Sequence, residues 1–358
     1  FAMQVLCRNI KNCFRISMPG RDEILSQLKM LLREDRNRYY IIRTDVCNCF
    51  ESIPHDKLFE YLEGNNPLDV KSKSLLRGLI RKEFETKNLR PLVKTKQTGI
   101  PRGCGVSSLL SEFYLSKIDE LIKRTLPGVL YLGRYVDDIV LVIHPDIRDE
   151  YRKTIEWYIE KIEKIYSQEG LKIHTLSDHS GKCYMYDSAD NKNLDFNLLG
   201  YNIRIDGKNR DSLVFSLSQD KLDRITDRID RSFITFYNMI DAVGFDAAAH
   251  YLFDALHVLT CNINLYNAKK RVKVGIFYSN QLLDNKKNLS YLDGQLKRNI
   301  DRLNLSSKAS IAITNRTVIE GRLKKKLALL SFTKGFDSPH KRYKVKKQRL
   351  QTIKSSWI

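Results

Sequence analysis

A chain of 358 residues with 62 Lys and Arg against 42 Asp and Glu carries a formal charge of +20. That is too basic for an ordinary metabolic enzyme and suits a polyanionic partner, nucleic acid before others. Its length allows large cores and two or three domains. The seven cysteines are odd in number and lack paired spacing, which argues against a disulfide framework, and Cys47-Asn-Cys49 is no zinc spacing. No run reaches the length of a transmembrane helix and none reads as a signal peptide, so the expectation is a reduced, cytoplasmic protein. The start at Phe1-Ala-Met-Gln reads as one lacking its native N-terminus.

Residues 1–20 read as basic and irregular, with a break at Pro19-Gly20. Ile24, Leu25, Leu28, Leu31 and Leu32 then recur at helical spacing. The run Tyr39-Tyr-Ile-Ile-Arg-Thr-Asp45 reads as a strand delivering a carboxylate at its C-terminal end. Pro54 fits the first turn of a helix whose inner face is Leu58, Phe59 and Leu62. A charged helical segment over 71–90 leads into a loop of small residues, 94–108, that opens a helix Val106–Leu126. A glycine-rich entry to a helix brings backbone N–H groups close to an anion, although many such loops merely turn.

In Tyr131–Ile143, Asp137 and Asp138 sit between two apolar runs that read as strands. Adjacent like charges repel, and a buried carboxylate needs a partner. A hard divalent cation such as Mg²⁺, which takes oxygen ligands and often only one or two protein carboxylates, would keep both ionised. A polar hairpin turn is the alternative reading. Beyond the hairpin, Tyr151, Ile155, Tyr158, Ile162 and Ile165 stripe a helix that Gly170 ends, followed by strand candidates at 171–173, 183–186, 195–205 and 213–215. Helices and strands in no fixed alternation point to an α+β fold with an antiparallel sheet.

The helix starting at Ser218 separates into three faces. Leu222, Ile225, Ile229, Phe233 and Phe236 form the apolar one, Asp223, Asp227 and Asp230 the acidic one, and Lys221, Arg224, Arg228 and Arg231 the basic one. A segregated basic stripe suits tracking of a phosphate backbone. A solvated face with salt bridges to a neighbouring helix is the alternative. Residues 240–320 read as mainly helical, interrupted by a strand-like run at 272–278. From Arg322 to Ile358, twelve Lys or Arg stand against one Asp, interleaved with Phe332, Phe336, Tyr343 and Trp357. These aromatics read as stacking surfaces for bases, or the whole stretch as a loosely binding basic tail.

Taken in order, these blocks resemble a reverse transcriptase over roughly residues 8–240. Arg43-Thr-Asp45-Val-Cys-Asn-Cys-Phe50-Glu-Ser-Ile-Pro-His-Asp-Lys-Leu58 is similar to the first catalytic-Asp block of bacterial retroelement enzymes. Thr98-Gly-Ile-Pro-Arg102-Gly103 followed by Val106–Leu115 resembles the block that supports the incoming nucleotide and template. Tyr135-Val-Asp-Asp138 resembles the polymerase hairpin, Gly170-Leu-Lys-Ile173 with Lys182 the next block, and Asn197-Leu-Leu-Gly-Tyr201 the primer-grip turn. Each alone is weak, whereas the ordered set is specific.

The resemblance implies a right-hand polymerase: fingers and palm over 1–216, the start of the thumb helix region over 217–245, and a helical, basic C-terminal extension over 246–358. It implies RNA-directed DNA polymerisation, a nucleotidyl transfer from dNTPs to a primer by two Mg²⁺ ions, with Mn²⁺ as a substitute. Asp45, Asp137 and Asp138 become the catalytic acids, and the Val46 carbonyl joins them as a metal ligand. Phe50 stands where the family keeps a ring under the sugar that would clash with a 2′-OH; a core Phe is the plain alternative. Arg102 and Gly103 belong to the nucleotide-supporting block, Arg15 and Arg21 become triphosphate contacts, and Lys182 a general acid for the pyrophosphate. Leu199, Gly200 and Tyr201 form the primer grip.

One departure stands out: Arg102 occupies a position where most relatives carry Gln, and Cys104-Gly105 replaces Ser-Pro. With the Arg-Asp-Glu-Ile lead-in at 21–24 and the helical C-terminal extension, this resembles the defence-associated and abortive-infection reverse transcriptases of bacteria. No maturase-type or endonuclease motif is visible after residue 240. The resemblance implies action against phage with a dedicated non-coding RNA as template and DNA as product. It also implies a homo-oligomer or a partner reverse transcriptase, and no membrane. A template-independent or protein-primed DNA polymerase on the same palm is the nearest alternative. A non-catalytic RNA-binding scaffold is disfavoured by the intact acids, and an RNA-dependent RNA polymerase by Phe50 and by Val136 before the two acids.

Overall fold

The computed structural model describes residues 2–35, 37–64, 68–86, 97–145, 153–178, 181–190, 192–267, 270–306 and 313–358. Residues 87–90 of the expected charged helix, 94–96 of the loop and Tyr151 lie outside them. The chain divides into two units, 1–199 with 205–213, and 200–204 with 214–358.

The first unit opens with a correction. The N-terminal residues read as irregular form α1 (Ala2–Cys13), because Leu6 and Ile10, four apart, bury on one side. In α2 (Arg21–Glu34) the expected stripe buries Ile24, Leu25, Leu28 and Leu32. Strand β1 (Tyr40–Asp45) is followed by the single turn α3 (Cys49–Ser52) and by α4 (His55–Glu63), which Pro54 precedes as its N-cap. Then come α5 (Val70–Thr86), the long α6 (Gly105–Thr125), β2 (Val129–Tyr135), β3 (Asp138–Ile143), α7 (Ile155–Gln168) and β4 (Tyr184–Asp187). The Thr154 hydroxyl caps α7 by accepting from the Trp157 N–H.

The strands form one antiparallel sheet in the order β2-β3-β1-β4. Ile139, Leu141 and Ile143 join the core made with α6 and α7, while Val140 and Val142 are buried as well. A strand covered on both faces reads as a continuous apolar run, as β3 does. The expected strand at 171–173 reduces to a single bridge between Ile173 and Val46.

The expected strand 195–205 is two strands, β5 (Leu194–Leu198) and β6 (Tyr201–Asp206), which with β7 (Asn209–Leu217) form a three-stranded sheet in the order β5-β6-β7. Leu199 (φ 49°) and Gly200 (φ 81°) are the turn, both left-handed, as a two-residue hairpin requires. The division between the units falls within this sheet.

The second unit contains α8 (Gln219–Val243), α9 (Phe245–Thr260), β8 (Asn262–Asn267), β9 (Lys270–Gly275), α10 (Lys287–Asp301), α11 (Ile313–Leu327), α12 (Phe332–Phe336), β10 (Arg342–Tyr343) and α13 (Lys347–Ser355). The apolar face of α8, Leu222, Ile229, Phe233 and Phe236, packs with Leu252 and Leu256 of α9 and Leu292 and Leu296 of α10. Strand β8 was not expected; it pairs antiparallel with β9 and parallel with β10. The interleaved aromatics of the C-terminus are structural rather than open stacking surfaces. Phe332 is buried, Tyr343 stacks on His257 at 4.0 Å, and the Trp357 indole N–H donates to Ser232 Oγ at 2.9 Å. No helix among the described residues is long and apolar enough to cross a membrane.

Candidate active site

The sheet register assembles the acids. β1 and β3 pair with Asp45 directly opposite Asp138, and β2 brings Tyr135 against Asp138 from the other side. Val136 and Asp137 form the intervening turn, and the Val46 N–H donates to the Asp137 carbonyl at 3.1 Å. Residues far apart in sequence therefore meet because one antiparallel register admits only this pairing. Val136 adopts φ 59°, a conformation that β-branched residues avoid and that costs about 1–3 kcal/mol.

Asp45 is 8% exposed. Its Oδ2 accepts from Lys182 Nζ at 3.0 Å, and its Oδ1 lies 3.9 Å from His174 Nε2. Among the described residues no hydrogen-bond donor reaches that buried Oδ1. Asp138 Oδ1 accepts from Arg43 Nη2 at 2.9 Å, and Arg43 Nη1 donates to the Lys182 carbonyl at 2.8 Å. Burial raises the Asp138 carboxyl above its ordinary value; Arg43 opposes this, while the charges of Asp137 and Asp45 add to it. The hydrogen bond to Asp45 raises the Lys182 ammonium in turn.

Among the described residues, no three His, Cys, Asp or Glu side chains form a ready metal cage. Mg²⁺ needs no such cage, since it keeps waters and takes one or two carboxylates plus substrate phosphates. The Oδ1 of Asp45, which no donor among the described residues reaches, and the half-buried Asp137 fit that requirement, whereas Asp138 is turned toward Arg43.

Phe50 lies in α3, half-buried at the edge of the core, and its backbone carbonyl accepts from the Ile100 N–H at 2.8 Å. Arg102 places its guanidinium 6.0 Å from the Phe50 ring centroid and pairs through Nη2 with Glu51 Oε2 at 2.9 Å and through Nε with Oε1 at 2.5 Å. Its bond to Glu51 raises its pKa. Gly103 adopts φ +83° and Gly99 φ +100°, and a side chain at Gly99 would press on the Glu51 carbonyl at 3.2 Å.

Three site residues escaped the sequence reading: Arg43, His174 and Arg134. Arg43 stands two before Asp45 and so shares its face of the strand, which was a usable signal. His174 follows the bridge at Ile173; its carbonyl accepts from Thr44 Oγ1 at 2.6 Å and its N–H donates to the Asp45 carbonyl at 3.0 Å. Arg134, a cation inside an apolar strand, is 5% exposed and forks onto Glu112.

The remaining expected residues have the following surroundings. Arg15, at φ 48°, lines a cavity of about 420 Å³ with Tyr61, Glu112 and Lys117. Arg21 forks onto Asp22 at 3.1 and 2.8 Å. In the second unit Tyr201 is buried, and Lys221 Nζ sits 5.3 Å over its ring while donating to the Ser279 carbonyl at 3.2 Å. Arg228 lies 5.3 Å from the Trp357 ring, and Arg231 pairs with Asp227 at 2.8 Å. Arg224 is exposed. The basic stripe is thus partly engaged with its own unit.

Residues 2–203 match the family model described as reverse transcriptase (RNA-dependent DNA polymerase). Over 115 residues the chain is 32% identical to an uncharacterized 91 kDa protein in the cob intron of Schizosaccharomyces pombe, a stretch covering 32% of this chain and 14% of that protein. Among solved structures, apo telomerase from Candida tropicalis matches at 14% identity and a TM-score of 0.37, over 99% of this chain and 57% of that one. Telomerase from Candida albicans in complex with a TWJ fragment of telomeric RNA matches at 11% identity and a TM-score of 0.37, over 99% and 53%. The chain therefore spans 14% of the curated relative and little more than half of these telomerases.

Proposed function

The chain belongs to the reverse transcriptase family, and from that premise we propose that it extends a primer with deoxynucleotides on an RNA template at the Asp45, Asp137 and Asp138 cluster. The observation that carries this reading is the β1–β3 register, which sets Asp45 against Asp138 beside the Asp137 turn, where among the described residues no donor reaches the buried Asp45 Oδ1.

Asp45 and Asp137 would hold divalent cations, with the Val46 carbonyl beside them. Bound there, such ions lower the pKa of the primer 3′-hydroxyl and neutralise the pyrophosphate. The chain's own groups do the rest. Arg43 orients Asp138 and offsets its charge. Lys182, kept protonated by Asp45, is a proton donor at the cluster's edge. Phe50 stands where a ring would exclude a 2′-OH, and Arg102, held over it by Glu51, brings a cation to the nucleotide side.

The setting we propose is bacterial defence against phage, in the cytoplasm, with a dedicated non-coding RNA as template and with oligomeric assembly. Arg102 and Cys104-Gly105 within the nucleotide-supporting block support it. An intron-borne enzyme is the second reading, favoured by the identity to the cob-intron protein.

Sequencing the nucleic acid that co-purifies with the protein, before and after Mg²⁺ and dNTPs are supplied, tests the function. One enriched RNA together with complementary DNA is expected from the wild type and none from Asp45→Asn or Asp137→Asn. Enrichment of an intron transcript would shift the setting to the second reading. Short DNA unrelated to any bound RNA would instead mark untemplated or protein-primed synthesis, and full extension by Asp137→Asn would overturn the site.

A further inference from the structure

Strand β2 carries one cation where its flanks are apolar. The Arg134 guanidinium is closed in and uses four donations. Nη1 and Nη2 reach Glu112 Oε2 and Oε1 at 3.0 and 2.8 Å, Nε reaches Asp119 Oδ2 at 2.8 Å, and Nη1 also reaches the Val136 carbonyl at 3.2 Å. Both acids stand on α6, which packs on β2. The rigid fork of an arginine is what lets one side chain span a carboxylate pair and a backbone carbonyl together.

The last of these contacts is the informative one. The two carboxylates neutralise the guanidinium but take only three of its donations, and a further one goes to the turn rather than to α6. Val136 holds a left-handed φ of 59°, and the carbonyl of the next residue, Asp137, accepts from the Val46 N–H at 3.1 Å. The two successive carbonyls of the turn, those of the strained Val136 and of Asp137, are therefore each held by a donor, and Asp138 follows in register against Asp45.

We propose that Arg134 is a positioning residue for the acidic turn. Anchored on α6 by Glu112 and Asp119, it holds Val136 in its strained conformation and so fixes where Asp137 and Asp138 stand relative to Asp45. The role is defined by the polymerase reading above. It also has a consequence independent of turnover, because a misplaced turn binds a divalent cation less well even without substrate.

The test compares the wild type, Arg134→Lys, Glu112→Gln and the double variant Arg134→Lys/Val136→Gly. Three readouts are taken: thermal melting, Mn²⁺ affinity by electron paramagnetic resonance without nucleotide, and kcat and KM for primer extension. Lysine keeps the charge but loses the fork. Arg134→Lys is expected to bind Mn²⁺ roughly tenfold more weakly and to lose about 100-fold in kcat with a smaller change in KM. Glycine accepts a left-handed φ without strain, so Val136→Gly in that background should restore Mn²⁺ affinity and kcat, which a merely structural role would not allow. Wild-type Mn²⁺ affinity in Arg134→Lys, or a double variant no better than the single one, overturns the proposal. Should Arg134→Lys fail to fold, Glu112→Gln, which keeps the shape and the Asp119 partner, decides by the same readouts. If the wild type extends no primer, the polymerase reading falls, while the Mn²⁺ affinities still decide whether Arg134 sets the turn.

Discussion

Asp45 and Asp138 are cross-strand partners, the last residue of β1 facing the first of β3, and each is met by its own cation: Lys182 at 3.0 Å and Arg43 at 2.9 Å. Two carboxylates that repel each other are held together by separate counter-charges. The two acids of the turn are therefore not equivalent. Asp138 supports the fold through Arg43, and Asp137 sits at the tip.

That difference predicts different costs of removal. Asp137→Ala should abolish primer extension and leave the urea midpoint nearly unchanged. Asp138→Ala should also strand Arg43, whose side chain is only 17% exposed. Removing one partner of a buried pair costs up to about 3–5 kcal/mol, and partial exposure reduces that figure here. Urea unfolding of both variants, measured beside extension, checks this. Equal stability of the two would show that Arg43 does not depend on Asp138.

Phe50 gives a second test. The ring is half-buried and Arg102 is held near it by Glu51. Phe50→Ala should admit ribonucleotides at a stability cost of about 1–3 kcal/mol. Single-nucleotide extension with paired dNTP and rNTP measures the selectivity. Unchanged discrimination would leave Phe50 a packing residue.

These residues were legible in the sequence because an acid at a strand end, a glycine turn and an apolar run each carry a local signal. Asp45, Asp137 and Asp138 could be named for that reason, and the buried stripes of α2 and α8 followed from their spacing. Partners depend on tertiary register and were not legible. Nothing near Lys182 says that its ammonium returns to Asp45, and nothing near Trp357 says that its indole closes onto Ser232 beside Arg228. Short elements failed for a similar reason. The helix α1 buries only Leu6 and Ile10, and β8 exists because β9 and β10 flank it.

The basic stripe of α8 predicts unequal mutants. Arg228 is half-buried against Trp357, and its burial lowers its pKa. Arg228→Glu should therefore destabilise the second unit by about 1–3 kcal/mol through lost packing and a buried like-for-unlike charge change. Arg224 is exposed, so Arg224→Glu should leave the melting temperature within a degree or two while weakening nucleic-acid binding. It should also reduce the slope of log affinity against log salt by roughly one. Filter binding across a salt series checks the slope. An unaltered slope in Arg224→Glu would leave the stripe as solvated surface.

Asp119 supplies a prediction in pH. Burial raises its carboxyl above the ordinary 3.8 even though Arg134 pulls it down. The folded state then holds this proton more tightly than the unfolded state does. Its contribution to stability is greatest in acid and is lost as pH rises from the ordinary carboxylate value through the raised one. Other carboxylates paired with cations act in the opposite sense, so the group is isolated by difference. Asp119→Asn keeps an oxygen for Arg134 Nε and removes the titration. The difference in unfolding free energy between wild type and Asp119→Asn should therefore move in favour of the variant as pH rises through that acidic window, then level off. Urea midpoints at a series of pH values, taken in chelator so that no cation contributes, measure it. A difference independent of pH would mean that Asp119 titrates as it does in the unfolded chain, and that its burial beside Arg134 does not govern its proton.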